Sequence, residues 1–259
     1  MKILITHIAV CLITSPVFSQ PLKGTVTFRE VIVSDTVKNL ETYKESTLYF
    51  DVRQSKSVYV NDRKTSISKE TIEKKSDGSI FFSGSDGIDK LGRIIFKSYK
   101  DKELTCRDFV SDKPFVITDS YPEIKWTILN ETKEIGSLIC QKAEGSYRGR
   151  LYTAWFTNKI PFSDGPWKLC GLPGLILEAT DEKNHVRFEF QSIEFPKIYD
   201  EIVIAPTDGE QIDFLRYYKL KQQYDEDIPK KIKALIEEDG STSNDFTYSF
   251  NNIERNIKQ

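Results

Sequence analysis

Histidine, the side chain most often used for acid–base catalysis, is scarce in this sequence of 259 residues. Of the 2 histidines, His7 lies in an apolar N-terminal run, which leaves His185 as the base available to a Ser-His-Asp hydrolase. His185 follows a turn-like run, and no Gly-x-Ser-x-Gly motif accompanies it. We therefore interpret His185 as an exposed residue at the entry to a strand, and we predict no catalytic residue.

Metal-binding spacings are missing as well, since there is no Cys-x-x-Cys, no His-Glu-x-x-His and no calcium loop. The acids Asp225, Glu226 and Asp227 could meet a cation. At the start of a helix, however, they would also oppose the helix dipole favourably. The sequence predicts neither a metal nor a cofactor.

Other polar residues leave room for chemistry. Glu178 lies inside the apolar run 175–180, where a buried carboxyl could act as a general acid. Glu178 and Asp181 support one alternative function, a secreted hydrolase that uses acidic residues. The competing interpretation is strand alternation, which turns Glu178 toward solvent. Arg148 and Arg150 could similarly clamp an anion or lie on a solvated strand face.

An apolar stretch from residue 151 to residue 180 carries aromatic side chains through two bends. Loops are normally polar, so we expect this one to lie against a core or to line a groove. Its candidate binding residues are Trp155, Phe162, Trp167 and Leu172, because rigid aromatic surfaces carry much of the energy of binding. The alternative is that these side chains fill the open side of a sheet.

Short strands account for most of the chain. About a dozen strand-like runs, from 24–34 to 202–204, are separated by charged turns, and the polar run 61–90 predicts a long exposed loop. Helical periodicity is confined to about 207–239, where Thr207-Asp-Gly-Glu210 fits a capping box and Asp227-Ile-Pro opens a second helix. We predict a mainly β (α+β) domain of residues 20–259: a curved antiparallel sheet or incomplete barrel with one or two C-terminal helices packed on it, LolA-like by analogy.

The N-terminus is typical of a secretory signal peptide. Met1-Lys2 precedes an apolar run from Ile3 to Thr14, and small residues precede Gln20, which predicts residues 1–19 as a leader cleaved after Ser19. The formal net charge of −2 is spread without a basic stripe, which argues against a nucleic-acid partner. We expect an exported, periplasmic or extracellular protein that is not integral to the membrane.

Three cysteines remain after export: Cys106, Cys140 and Cys170. In an oxidising compartment this odd number suggests one disulfide and one free thiol, with three possible pairings. We favour Cys140–Cys170, which would tie the bends to a neighbouring strand. The alternative is three reduced, buried cysteines that act as small apolar residues.

The run Gly171-Leu172-Pro173-Gly174-Leu175-Ile176, with Gly165-Pro166-Trp167-Lys168 before it, resembles the signature of the GLPGLI family of secreted Bacteroidota-type proteins. Asn251-Asn-Ile-Glu254 resembles the family's terminal Asn-Pro-Ile-Glu element, with Asn252 where Pro is usual. The resemblance covers roughly residues 24 to 254 and implies no established activity. Within it, Leu172-Pro173-Gly174 fits a type II turn with positive φ at Gly174, and Asp164-Gly165-Pro166 marks an earlier turn.

Taken together, these features predict a non-enzymatic protein of uncharacterised function. Its expected partner is an apolar or peptide-like ligand that it binds or carries, or an outer-membrane protein. The alternatives are the acid-dependent hydrolase and a purely structural component of the cell envelope.

Overall fold

A computed structural model of the chain describes residues 22–35, 40–61, 71–74, 80–83, 89–197 and 203–238. The expected signal peptide and the Asn251–Glu254 element lie outside these residues. The strands are β1 Lys23–Asp35, β2 Leu40–Asp51, β3 Lys56–Asn61, β4 Thr71–Lys74, β5 Ile80–Ser83, β6 Ile94–Ser98, β7 Glu103–Val110, β8 Lys113–Ser120, β9 Trp126–Ile135, β10 Leu138–Tyr147, β11 Arg150–Thr157, β12 Leu175–Asp181, β13 Val186–Glu194 and β14 Glu210–Asp213. One helix, α1, spans Phe214–Glu238.

Twelve strands form one sheet in the order β14-β8-β7-β6-β3-β2-β1-β13-β12-β11-β10-β9. Neighbours are antiparallel except β14, which runs parallel to β8. The outermost strands β14 and β9 do not pair with each other, so the sheet is open. The prediction of a mainly β fold is confirmed, but the sheet is mixed.

A ladder of side chains crosses the sheet on its inner face. Cross-strand partners share a face of a sheet, and the pairs run Ile193–Val26–Leu48–Tyr59–Ile95–Cys106–Ile117–Ile212. The residues from Val26 to Tyr59 are almost fully buried and belong to the main hydrophobic core. The inner face therefore supplies both the core and the floor of the site described below.

The sheet is rolled, because strands far apart in its order meet in space. Nine strand spacings of about 4.8 Å separate β8 from β10, which would place them roughly 43 Å apart in a flat sheet. Nevertheless, Arg148, in the turn after β10, places its Nη2 2.5 Å from the Oδ1 of Asp119 in β8. Rolling brings the two halves of the sheet around one interior.

The helix begins later than the sequence predicts. Thr207-Asp-Gly-Glu210 does not start a helix, because Glu210–Asp213 extends the sheet as β14. The helix is instead capped by Asp213, whose Oδ1 accepts the backbone N–H of Arg216 at 2.9 Å. The expected second helix is the continuation of the first, with Pro229 inside it.

Two further predictions change. Residues 61–90, predicted as a long loop, contain β4 and β5, which pair with each other in a separate two-stranded sheet. The strand expected at 202–204 is not formed over the described residues 203–204. Val203 lies outside any strand and packs against Phe96.

Candidate functional site

The segment that links β11 to β12, residues 158–174, is called the motif loop here. It is held against the sheet by a buried lysine. The side chains of Lys97, on β6, and of its ion-pair partner Asp164 have no exposed surface. The Lys97 Nζ also donates hydrogen bonds to the carbonyl oxygens of Gly165 at 3.0 Å and Trp167 at 2.9 Å. An ammonium group has three donors, so these three acceptors satisfy it completely.

Trp167 is a motif-loop residue whose side chain packs in the interior. Its φ of +53° is rare for a residue with a side chain, and its ring stacks on Phe188 with centroids 6.4 Å apart and meets Tyr147 edge-on at 5.6 Å. The side chain is only 6% exposed. Packing on these rings therefore fixes both the ring and the turn that carries it.

A charged seam joins the loop to the opposite half of the sheet. The carboxylate of Asp119 accepts Lys168 at 2.9 Å and Arg148 at 2.5 Å, and its side chain is 1% exposed. Both cations also lie over the ring of Phe214, the first residue of α1, at 4.1 Å for Arg148 and 4.8 Å for Lys168. The start of the helix is thereby fixed above the interior.

From Phe214 onward, helix α1 packs over the inner face of the sheet. The hydroxyl of Tyr217 donates to the Phe109 carbonyl at 3.1 Å, and its ring meets Phe115 edge-on with centroids 6.0 Å apart. Together with Phe214 and Ile212 it belongs to a second core cluster under the helix. The first half of the helix is thus docked on β7 and β8.

A cavity of about 310 Å³ remains between the sheet, the motif loop and the helix. Its floor includes Tyr59, Ile95 and Ile117 from the inner ladder, and Trp167 and Phe214 stand at its walls. Ligand pockets in proteins commonly have this size and this mixture of apolar walls with a few polar groups.

The polar feature of the floor is Glu30, which is 6% exposed. Its Oε2 accepts the hydroxyl of Tyr59 at 2.9 Å, the amide of Asn61 at 3.3 Å and the hydroxyl of Ser46 at 3.5 Å. Within the described residues, no cation pairs with this carboxylate and no group donates to its Oε1. Lys44, directly opposite in the β1–β2 register, forms no ion pair with it.

The other carboxylates on the cavity wall are compensated. Asp108 pairs with Arg93 at 2.6 Å, and Asp225 pairs with Lys221 at 3.5 Å. Burial raises the pKa of Asp108, but the charge and hydrogen bond of Arg93 outweigh it, so that pKa lies below its ordinary value. Glu30 is therefore the cavity carboxylate without a cation in the described part of the chain.

The candidate binding aromatics of the sequence do not lie together. Trp167 lines the cavity. Phe162 and Leu172 are buried in the main core, where Phe162 stacks on Phe50 at 5.3 Å between centroids. Trp155 is half-buried and packs against the main core, and Lys133 lies 4.6 Å from its ring. Of the four, only Trp167 lines this cavity.

The glycines of the motif loop serve close packing. A Cβ on Gly165 would lie 2.7 Å from the Cβ of Ile176, and one on Gly174 would lie 2.1 Å from the Thr157 carbonyl oxygen. The turn at Leu172-Pro173-Gly174 differs from type II. The N–H of Gly174 bonds the Leu172 carbonyl at 2.8 Å, a three-residue turn, with φ of +153° at Gly174.

Cys140 and Cys170 do not form the disulfide that we predicted. In the described part of the chain, Cys106, Cys140 and Cys170 form no disulfide with one another, and all three are buried. The two thiols have different neighbours. The Sγ of Cys140 faces the Leu138 carbonyl on β10, whereas the Sγ of Cys170 faces the Pro122 carbonyl. Burial raises the pKa of each of these two thiols to about 11, so both stay protonated at neutral pH.

The acids proposed for hydrolysis lie in ion pairs away from the cavity. Glu178 pairs with Lys133 at 2.5 Å on the outer face. Asp181 pairs with Arg150 at 2.5 Å, and its Oδ1 accepts the backbone N–H groups of His185 and Val186. These contacts shape the turn between β12 and β13.

The acidic run 225–227 lies within α1 rather than at a helix start, so it does not oppose the helix dipole. In the described part of the chain, no three His, Cys, Asp or Glu side chains converge as a metal site would require. No described helix combines the length and apolarity of a membrane span.

Comparison with known proteins places the motif loop in context. The model of a family described as "Protein of unknown function (Porph_ging)" matches residues 148–178, a stretch that contains Gly171–Ile176. A search of curated proteins finds no significant match.

Among solved structures, the chain resembles PNGF-II in two crystal forms, with space groups P21 and C2. The TM-score is 0.52 and the identity 15% in both, over 78% of this chain. The likeness is one of fold. The chain spans about a third of the length of that protein, 34% and 33% in the two structures.

Proposed function

We propose that this protein is a binding protein that holds a small amphipathic, peptide-like ligand in the cavity beneath α1. The observation that carries the proposal is the composition of the cavity, in which aromatic walls adjoin an uncompensated carboxylate. A purely apolar cargo would leave Glu30 facing hydrocarbon at a considerable desolvation cost. A ligand with both apolar and polar parts fits both kinds of surface.

Binding without reaction is the favoured activity. The acids that suggested a hydrolase, Glu178 and Asp181, are engaged in ion pairs outside the cavity. The protein would act after export, with the leader removed after Ser19, in the periplasm or outside the cell. A resemblance to LolA-type carriers and membership of the GLPGLI family remain part of this proposal, supported by the apolar motif loop and the open, rolled sheet.

The proposal can be tested by filling the cavity. Ile95→Phe adds an aromatic ring to the floor, and Ile139→Phe adds the same ring on a side chain that is 59% exposed. Pooled tripeptides are incubated with the mature protein, and bound species are identified by native mass spectrometry. We expect the wild type and Ile139→Phe to retain ligands and Ile95→Phe to lose them.

Two results would refute this function. One is that no tripeptide is retained by the wild type. The other is equal retention by Ile95→Phe and the wild type, which would place binding elsewhere on the molecule.

A further inference from the structure

Glu30 interrupts an apolar row. Val26, Phe28 and Glu30 alternate along the inner face of β1, and the first two are fully buried. A carboxylate in such a row is costly, because it is removed from water without a counter-ion. Such groups are almost always paired with a cation or a metal. We therefore expect a bound ligand to offset the desolvation free energy of the Glu30 carboxylate.

The hydrogen bonds of Glu30 show which part of it is left for a ligand. Its three donors, from Ser46, Tyr59 and Asn61, all bond to Oε2. These donors are neutral, so they orient the carboxylate without cancelling its charge. Oε1 receives no donor within the described residues, and the side chain borders the cavity.

The other charged groups of the cavity are paired elsewhere. The cavity is also lined by Arg93, Arg107, Lys168 and Lys221, each of which is paired with a carboxylate other than Glu30. Lys44 lies opposite Glu30 on the neighbouring strand and also lines the cavity, but no ion pair joins these two described side chains. Among the described residues, Glu30 is thus the cavity carboxylate that has no ion pair.

We infer that the ligand carries a primary ammonium group, which binds Oε1 of Glu30 inside the cavity. This rests on the proposed function. An ammonium N–H can donate the hydrogen bond that Oε1 lacks among the described residues. A quaternary ammonium has no N–H and could not do so. Tyr59 contacts Glu30 directly and Trp167 lines the same cavity, and such aromatic surfaces favour a cation with an attached apolar chain. A peptide N-terminus and a lysine side chain both provide this chemistry.

The test compares matched probes by isothermal titration calorimetry on the mature protein. Hexylammonium, hexyltrimethylammonium, hexanol and hexanoate separate the headgroups at constant chain length. A lysine-free tripeptide amide and an N-acetylated, lysine-containing tripeptide amide distinguish the two sources of the amine. Wild type is compared with Glu30→Gln and with Glu134→Gln, which removes an exposed acid from edge strand β9.

We expect hexylammonium to bind at least about tenfold more tightly than the other three hexyl probes, as a charge-assisted hydrogen bond allows. That preference should vanish in Glu30→Gln and persist in Glu134→Gln. Without ligand, Glu30→Gln should unfold at the same temperature as the wild type or higher, because an unpaired buried charge is removed. A purely structural Glu30 would instead lower the unfolding temperature.

Three outcomes overturn the inference. Equal binding of the four hexyl probes, all of it abolished by Ile95→Phe, would show that the cavity binds ligands but does not select a cation. Equal destabilisation of the free protein by Glu30→Gln and by Lys44→Met would show that Lys44 neutralises Glu30. The proposed function itself is overturned if no probe binds and if Ile95→Phe retains pooled tripeptides as the wild type does.

Discussion

Replacing Lys97 with methionine removes the charge that fixes the motif loop while keeping most of the side-chain volume. In the folded protein Asp164 would then remain buried without its cation, retaining the backbone N–H of Gly165 at 2.7 Å as a donor to Oδ1. Its Oδ2 has no hydrogen-bond partner even in the wild type. The carbonyl groups of Gly165 and Trp167 would also lose their donor.

The magnitude follows from the burial of both partners. Removing one member of a fully buried ion pair typically costs about 3–5 kcal/mol of the free energy of unfolding. For a chain of this size each kcal/mol lowers the unfolding temperature by roughly 2–4 °C, so we expect a fall of about 6–20 °C. This would be a large fraction of the total stability of about 5–15 kcal/mol that such domains have.

The assay is urea unfolding followed by tryptophan fluorescence and circular dichroism. Lys230→Met is the matched control, because Lys230 pairs with Asp227 on the exposed face of α1 and its loss should have no measurable effect. The double variant Lys97→Met/Asp164→Asn removes the stranded charge and should recover at least about 1 kcal/mol. A Lys97→Met protein within about 1 kcal/mol of the wild type would show that the buried pair does not hold the loop.

Two further predictions concern the motif loop and the thiols. Gly174→Ala should lower the free energy of unfolding by more than about 3 kcal/mol, because the added Cβ would overlap the Thr157 carbonyl. Gly171→Ala should lower it by only about 1–2 kcal/mol, because φ there is +98° but no atom lies within 3.4 Å of the added Cβ. Equal losses in urea unfolding would contradict this steric argument. Burial raises the pKa of Cys140 and Cys170 from 9.0 to about 11, so the stability that their protonated thiols contribute is complete below pH 9 and is lost as the pH rises to 11. The free energy of unfolding should therefore fall less steeply between pH 9 and 11 in Cys140→Ala/Cys170→Ala than in the wild type, and parallel slopes would be the opposing result.

Local patterns predict the strands well, because each strand alternates or is bounded by turn residues. The predicted run 24–34, for example, differs from β1, Lys23–Asp35, by one residue at each end. The failures come where tertiary contacts override local chemistry. Glu210–Asp213 has the spacing of a capping box, but it lies beside an unpaired edge of β8 and its backbone groups bond there instead.

The site was harder to predict than the fold, because its chemistry is unusual for its location. Neither Glu30 nor Lys97 was among the predicted site residues, although alternation from Val26 and Phe28 would have placed Glu30 on the inner face and the same rule would have placed Lys97 on the face of Ile95. Those two charged residues were the available signals. What alternation cannot supply is the rolling of the sheet, which alone brings β1, β6, the motif loop and the helix around one cavity.

The position of β1 in the middle of the sheet has a consequence for the order of folding. Thr25 pairs with Glu194 on one side and Tyr49 on the other, so a central strand made first waits for a partner made about 170 residues later. Such distant pairings are slow to form. Until synthesis passes residue 194, the emerging polypeptide lacks the strand that completes the pairing of β1.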